Sequence, residues 1–157
     1  MVQLCLNDEE GVAAFKQILQ DIAIEQGMRY MDGSGEAMRG LRAVNATGEH
    51  MHSSGGLVHV AIEGDDGLGL SAGNLGLNLY DMAIGFSHEP SDEVASHLSD
   101  LVVAKLKERW AVKTVPAGKG AFPDPACLPT ALEASTPPNN HMQRSGNDKV
   151  PAAGERP

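Results

Sequence analysis

Aromatic side chains are scarce in this chain: one Trp, two Tyr and three Phe among 157 residues. A hydrophobic core must therefore be built mainly from Leu, Ile, Val, Ala and Met. Cysteine is scarcer still. Cys5 and Cys127 stand far apart with no C-x-x-C pairing, so the sequence predicts neither a disulfide framework nor a zinc knuckle. Each reads as a small buried or incidental thiol. No stretch approaches the ~20 apolar residues of a membrane span. The first residues, Met-Val-Gln-Leu-Cys-Leu-Asn-Asp, hold no basic segment and no long apolar one, which places the chain in the cytoplasm. A start site chosen too late would make Leu4-Cys5 the remnant of a lipoprotein leader and move that expectation to the periplasm. Positive charge is also short: 12 Lys and Arg against 21 Asp and Glu leave a net charge of −9. Such a surface repels phosphate backbones and anionic lipid, which argues against nucleic acid and membrane partners.

What is present has clear periodicity. Asn7 with Glu10 three residues on reads as a capping box. Val12, Phe15, Ile18, Leu19 and Ile22 then form one apolar stripe, and Gly27 supplies the stop. Met28 to Met31 suggests a short strand, and Glu36 to Ala43 a short helix capped by Ser34. From Leu57 to Glu63 apolar residues alternate, and Gly64-Asp-Asp-Gly67 is a hairpin signal. A return strand from Leu68 to Ser71 follows, then an odd-position alternation of Leu75, Leu77 and Leu79. At Tyr80-Asp81 the parity flips to Met82, Ile84 and Phe86, which requires a bulge or a tight turn. Ser91 caps a second long helix with Val94, Leu98, Leu101, Val102, Leu106 and Trp110 on one stripe. Ala111 to Val115 reads as a last strand, which that helix could return parallel to a neighbour. The expected fold is α+β, a two-layer sandwich with two long helices on a mostly antiparallel sheet of four to five strands. It occupies residues 1–128. Residues 129–157, rich in Pro, Ser, Asn and Gly without apolar periodicity, read as a disordered tail.

The chemistry-bearing residues form no recognised constellation. His50 and His52 flank Met51, and His59 follows in the next strand; with Glu63 they are a candidate set for binding, but they lack helical metal-ligand spacing and any nearby Cys, so no metal is expected. The acidic hairpin of Glu63, Asp65 and Asp66 fits an ordinary turn and fails the calcium-loop pattern. The glycines at 67, 69, 73 and 76 lie among strands with no helix N-terminus behind them, so no phosphate loop is expected. Asn74, Asn78, Tyr80 and Asp81 come from one strand region; with His59 they make a candidate polar binding surface on the face away from the core. No cofactor is expected.

The segment Pro138-Asn-Asn-His-Met-Gln-Arg-Ser-Gly-Asn-Asp-Lys-Val-Pro resembles the C-terminal ends of proteins encoded in mobile integron gene cassettes. The resemblance covers about the last twenty residues. It implies a bacterial, horizontally mobile gene and says nothing of fold. Arg109-Trp110 and Val115-Pro-Ala-Gly-Lys-Gly-Ala-Phe-Pro are similar to stretches of small bacterial proteins to which no activity attaches, so no catalytic residue carries over. The expectation is a non-catalytic binding or protein-interaction module, homodimeric through Leu75, Leu77 and Leu79, with a small molecule or another protein as further partner. The alternative is a hydrolase-like enzyme using His and carboxylate groups around residues 49–66.

Overall fold

The computed structural model describes residues 1–46, 57–65, 67–76, 78–87, 93–116 and 118–127. The elements follow as β1 (Val2–Cys5), α1 (Glu9–Glu25), β2 (Arg29–Asp32), α2 (Ser34–Ala46), β3 (His59–Glu63), β4 (Gly69–Asn74), β5 (Asp81–Phe86), α3 (Glu93–Lys107) and β6 (Val112–Thr114). All six strands form one sheet in the order β2-β3-β4-β5-β1-β6, and every neighbouring pair is antiparallel. The α+β class and the antiparallel sheet match expectation. Among the described residues the strands number six rather than four or five and the helices three, with α2 extended to 13 residues.

The extra strand is β1. Val2, Leu4 and Leu6 are buried in the core, and β1 slots between β5 and β6. This placement also settles the end of the chain. Because β5 and β6 are each antiparallel to β1, α3 returns β6 parallel to β5, yet β6 is hydrogen-bonded only to β1. The parallel pairing with a neighbour does not occur.

Local starts shift by a residue where backbone geometry intervenes. Asn7 takes a left-handed backbone at φ 68°, a conformation Asn tolerates better than most residues. Asp8 is therefore the cap of α1, its carboxylate accepting the Gly11 N–H at 2.7 Å. Ser34 is the first residue of α2 rather than its cap. The Gly33 carbonyl accepts the N–H groups of Glu36 and Ala37, and Asp32 Oδ1 accepts the Ser34 N–H at 2.9 Å. Ser91 lies outside the described residues.

Residues paired across antiparallel strands point to the same face, so the register sorts the sheet. One face carries Val2, Leu4, Val60, Ile62, Leu70, Ala72, Met82 and Ile84, all buried. Phe15, Leu19 and Ile22 of α1 and Leu98, Val102 and Leu106 of α3 complete that core. Trp110, just past α3, meets Phe15 edge-on at 6.5 Å between ring centroids. The even parity of β5 and the 64–67 hairpin are as expected. The stretch from Leu75 to Tyr80 is not a strand. It is the β4–β5 connection, with Gly76 at φ 58° and Leu79 buried in the core. The parity flip is thus a turn; Leu77 lies outside the described residues.

Candidate functional site

The face away from α1 and α3 is unlike the core face. Its floor across β3, β4 and β5 consists of Ala61, Ser71, Gly73, Ala83 and Gly85. A side chain at Gly85 would fit, since an added Cβ would meet nothing closer than the Ser71 carbonyl oxygen at 4.0 Å. Glycine costs stability inside a strand, and where sterics do not demand it, it leaves room for something to approach the backbone closely. The result is a shallow trough. At the hairpin end it deepens into a depression of about 410 Å³ bounded by Glu63, Gly69, Ser71, Gly85 and Phe86.

The other end of this face is covered. Residues 118–127 run back over β1 and β5 as a strap. Gln3 and Asp81, on adjacent strands of the face, hold it. The Gln3 amide uses both hydrogens of Nε2, one to Asp81 Oδ1 at 2.9 Å and one to the Phe122 carbonyl at 2.9 Å. Asp81 Oδ2 accepts the Asp124 N–H at 2.5 Å. Lys113 on the edge strand pairs with Asp124, and Asn78 Nδ2 donates to the Cys127 carbonyl. That short contact with the Asp124 carboxylate raises the Lys113 ammonium above its ordinary value and lowers Asp124 below its own. Cys127 is bonded to Cys5 across 122 residues of chain. This corrects the reading of two incidental thiols. β1 lies inside the sheet between β5 and the edge strand β6, and the strap returns over it, so residues remote in sequence become neighbours.

His50 and His52 lie outside the described residues, as does Asp66. His59 and Glu63 share the trough face but stand at opposite ends of β3, four residues or about 13 Å apart, and neither converges with Asp81. The backbone of His59 is engaged with α2, its N–H to Ser34 Oγ at 3.1 Å and its carbonyl to the Gly33 N–H at 2.8 Å. Glu63 pairs with Arg29 at 2.6 Å on the surface. The amides expected to recognise a ligand instead hold loops. Asn74 Oδ1 accepts the Val58 N–H at 2.8 Å, and Asn78 Oδ1 accepts the Tyr80 N–H at 3.1 Å. Tyr80 is half-buried against the core and its carbonyl accepts the Leu6 N–H at 2.8 Å. Asp81, expected on a wet face, is 1% exposed because the strap covers it.

A polar cluster that sequence reasoning missed joins α1 to the start of α2. Lys16 Nζ lies 2.9 Å from Asp32 Oδ2 and 3.0 Å from Ser34 Oγ. A Ser beside a Lys is the geometry of a nucleophile and base, but Lys16 Nζ donates to both the Asp32 carboxylate and Ser34 Oγ, and Ser34 Oγ gives its own hydrogen to the His59 carbonyl at 3.4 Å. Partial burial pushes the Asp32 carboxyl up; the hydrogen bonds from Ser34 and Lys16 outweigh it and hold the group below its ordinary value. The cluster docks α2 on α1 and β3 and leaves Ser34 without a base. Among the described residues no group of three or more His, Cys, Asp or Glu is placed to hold a metal ion, and no helix is long and apolar enough to cross a membrane.

Tyr30, beside this cluster, is pushed up to about 12, first by burial and then by the Asp32 carboxylate. A raised value means that its contribution to stability is complete below the free phenol's pKa of about 10 and is lost as pH rises through 12. Absorbance at 295 nm is expected to show one of the two tyrosines ionising near pH 12, with urea stability falling over the same window. Tyr30→Phe should remove that late step; its survival in the variant would assign it elsewhere.

No protein-family model, curated protein or solved structure matches this chain.

Proposed function

We propose that this chain is a non-catalytic interaction module that pairs with a second copy of itself through the trough face of its sheet. The observation that carries the reading is a knob beside a hole. Phe122 is 76% exposed, the most exposed large apolar side chain among the described residues. It rides on the strap over Gln3, and Gln3 is the register partner of Ala83 in the trough floor. A protrusion and a complementary recess on one face are what a two-fold symmetric interface needs, since each copy offers both. A rigid aromatic entering a small-residue recess is also the usual anchor of an interface. The satisfied amides of Asn74 and Asn78, the surface pairing of Glu63 and the unactivated Ser34 all weigh against the hydrolase-like alternative. The likeness of the C-terminal segment to integron-cassette products fits a mobile bacterial gene for such a module.

Analytical ultracentrifugation of the full chain tests this. A dimer is expected, strengthened by added salt, because two copies of net charge −9 repel and salt screens them. Phe122→Ser should shift the population to monomer with the far-UV spectrum unchanged. Gly85→Leu should do the same by filling the recess. A wild-type chain monomeric at every concentration and salt would overturn the proposal. It would direct attention to a different protein or a small molecule on the same face.

A further inference from the structure

The strap's mode of attachment is unusual for a segment that covers a buried carboxylate. Among its described residues, from Gly118 to Cys127, the buried one is Cys127. Phe122 points away from the sheet, and Pro123, Pro125 and Ala126 are exposed. Ala121 is half-buried, and among the described residues of the strap no apolar side chain other than the half-cystine is fully buried. Its other fastenings are the hydrogen bonds from Gln3 and Asn78, that between the Asp124 N–H and Asp81, and the exposed Lys113–Asp124 pair. Ordering about ten residues costs more conformational freedom than a few such hydrogen bonds and a surface ion pair return. The rest of the fold is held differently, by the apolar core on the opposite face, to which the strap contributes nothing.

We infer that the Cys5–Cys127 disulfide is a redox latch: reduction frees the strap while the sheet and helices stay folded, uncovering Gln3, the Asp81 carboxylate and the Cys5 thiol on the trough face. The reductant is a dithiol, small or protein-borne. One of its thiolates attacks the sulfur of Cys5, the less buried half, forming a mixed disulfide; Cys127 leaves as a thiolate and takes a proton. The second thiol of the reductant then displaces Cys5, so the reductant ends as a disulfide and the protein as two thiols. Two electrons and two protons pass to the protein. The latch changes the chemistry of the face. Oxidised, its β1–β5 end is roofed by backbone; reduced, it presents an acid and the Cys5 thiol beside the trough. This inference needs neither the dimer nor any ligand.

Amide hydrogen exchange of the full chain by NMR, before and after dithiothreitol, tests it. The amides of Asp124, Ala126 and Cys127 are bonded within the strap or to Asp81. Their protection is expected to fall at least tenfold on reduction, while amides of β3, β4 and β5 keep theirs and the helical signal is unchanged. Strap protection that survives reduction would overturn the inference, because the polar contacts would then suffice. Equal loss across β3–β5 would overturn it too, since the disulfide would be a staple of the whole fold. The double variant Cys5→Ser, Cys127→Ser should match the reduced protein; if it fails to fold, the native chain reduced after folding remains the measurement.

Discussion

Replacing Cys5 and Cys127 together by serine is expected to lower the free energy of unfolding by about 2–4 kcal/mol, read from urea midpoints at constant slope. The closed loop spans 122 residues, for which the chain-entropy account gives a ceiling of about 5 kcal/mol. The expected loss is below that ceiling for a reason visible in the structure. The strap buries no apolar side chain except Cys127, so once unlinked it recovers freedom in the folded state as well as in the unfolded one, and the two gains partly cancel. A loss below about 0.5 kcal/mol would mean that the denatured chain already holds its ends together.

Gly11→Ala is expected to destabilise the fold by about 2–4 kcal/mol, against the direction that helix propensity predicts. In an exposed helix the change from Gly to Ala gains about 1 kcal/mol. Here the added Cβ would lie 2.0 Å from the carbonyl oxygen of Leu6 and 3.3 Å from Asp8 Oδ1. Both obstacles are fixed, one as backbone at the end of β1 and the other as the cap of α1, which the Gly11 N–H itself engages. The helix must shift off the sheet to make room, and forced overpacking of that kind costs about 1–3 kcal/mol before the weakened cap is counted. A variant as stable as the wild type would show that the β1–α1 corner is soft.

Helices α1 and α3 and the β3–β4 hairpin were legible because their signals are local. An apolar stripe at helical spacing and a Gly-Asp-Asp-Gly turn need no knowledge of the rest of the chain. The alternation at Leu75, Leu77 and Leu79 was misleading for the same reason. Periodicity reports what a segment could bury, but the positive φ of Gly76 and the backbone contacts of Asn74 and Asn78 turn this segment instead. β1 carried a readable signal, the alternation of Val2, Leu4 and Leu6, in a segment too short to stand out. The candidate site was hardly legible. Asp81 reads as a solvent-facing carboxylate until a strap more than forty residues downstream covers it. No spacing rule joins Cys5 to Cys127, since only the sheet order brings β1 under the returning chain. Gln3 and Asp124 had no signal at all, because a Gln and a loop Asp are unremarkable anywhere but there.

The place of β1 within the sheet also bears on how the chain is made. Gln3 and its partner Asp81 are separated by 78 residues. At typical synthesis rates β1 therefore leaves the ribosome about 4–16 s before the strand it pairs with. Through that interval Val2, Leu4 and Leu6 have no sheet to enter, and pairing this distant is intrinsically slow to form. The domain must therefore complete its sheet after most of its length has emerged. Until then β1 is the strand most in need of a chaperone, although in the finished fold its Val2 and Leu4 are buried.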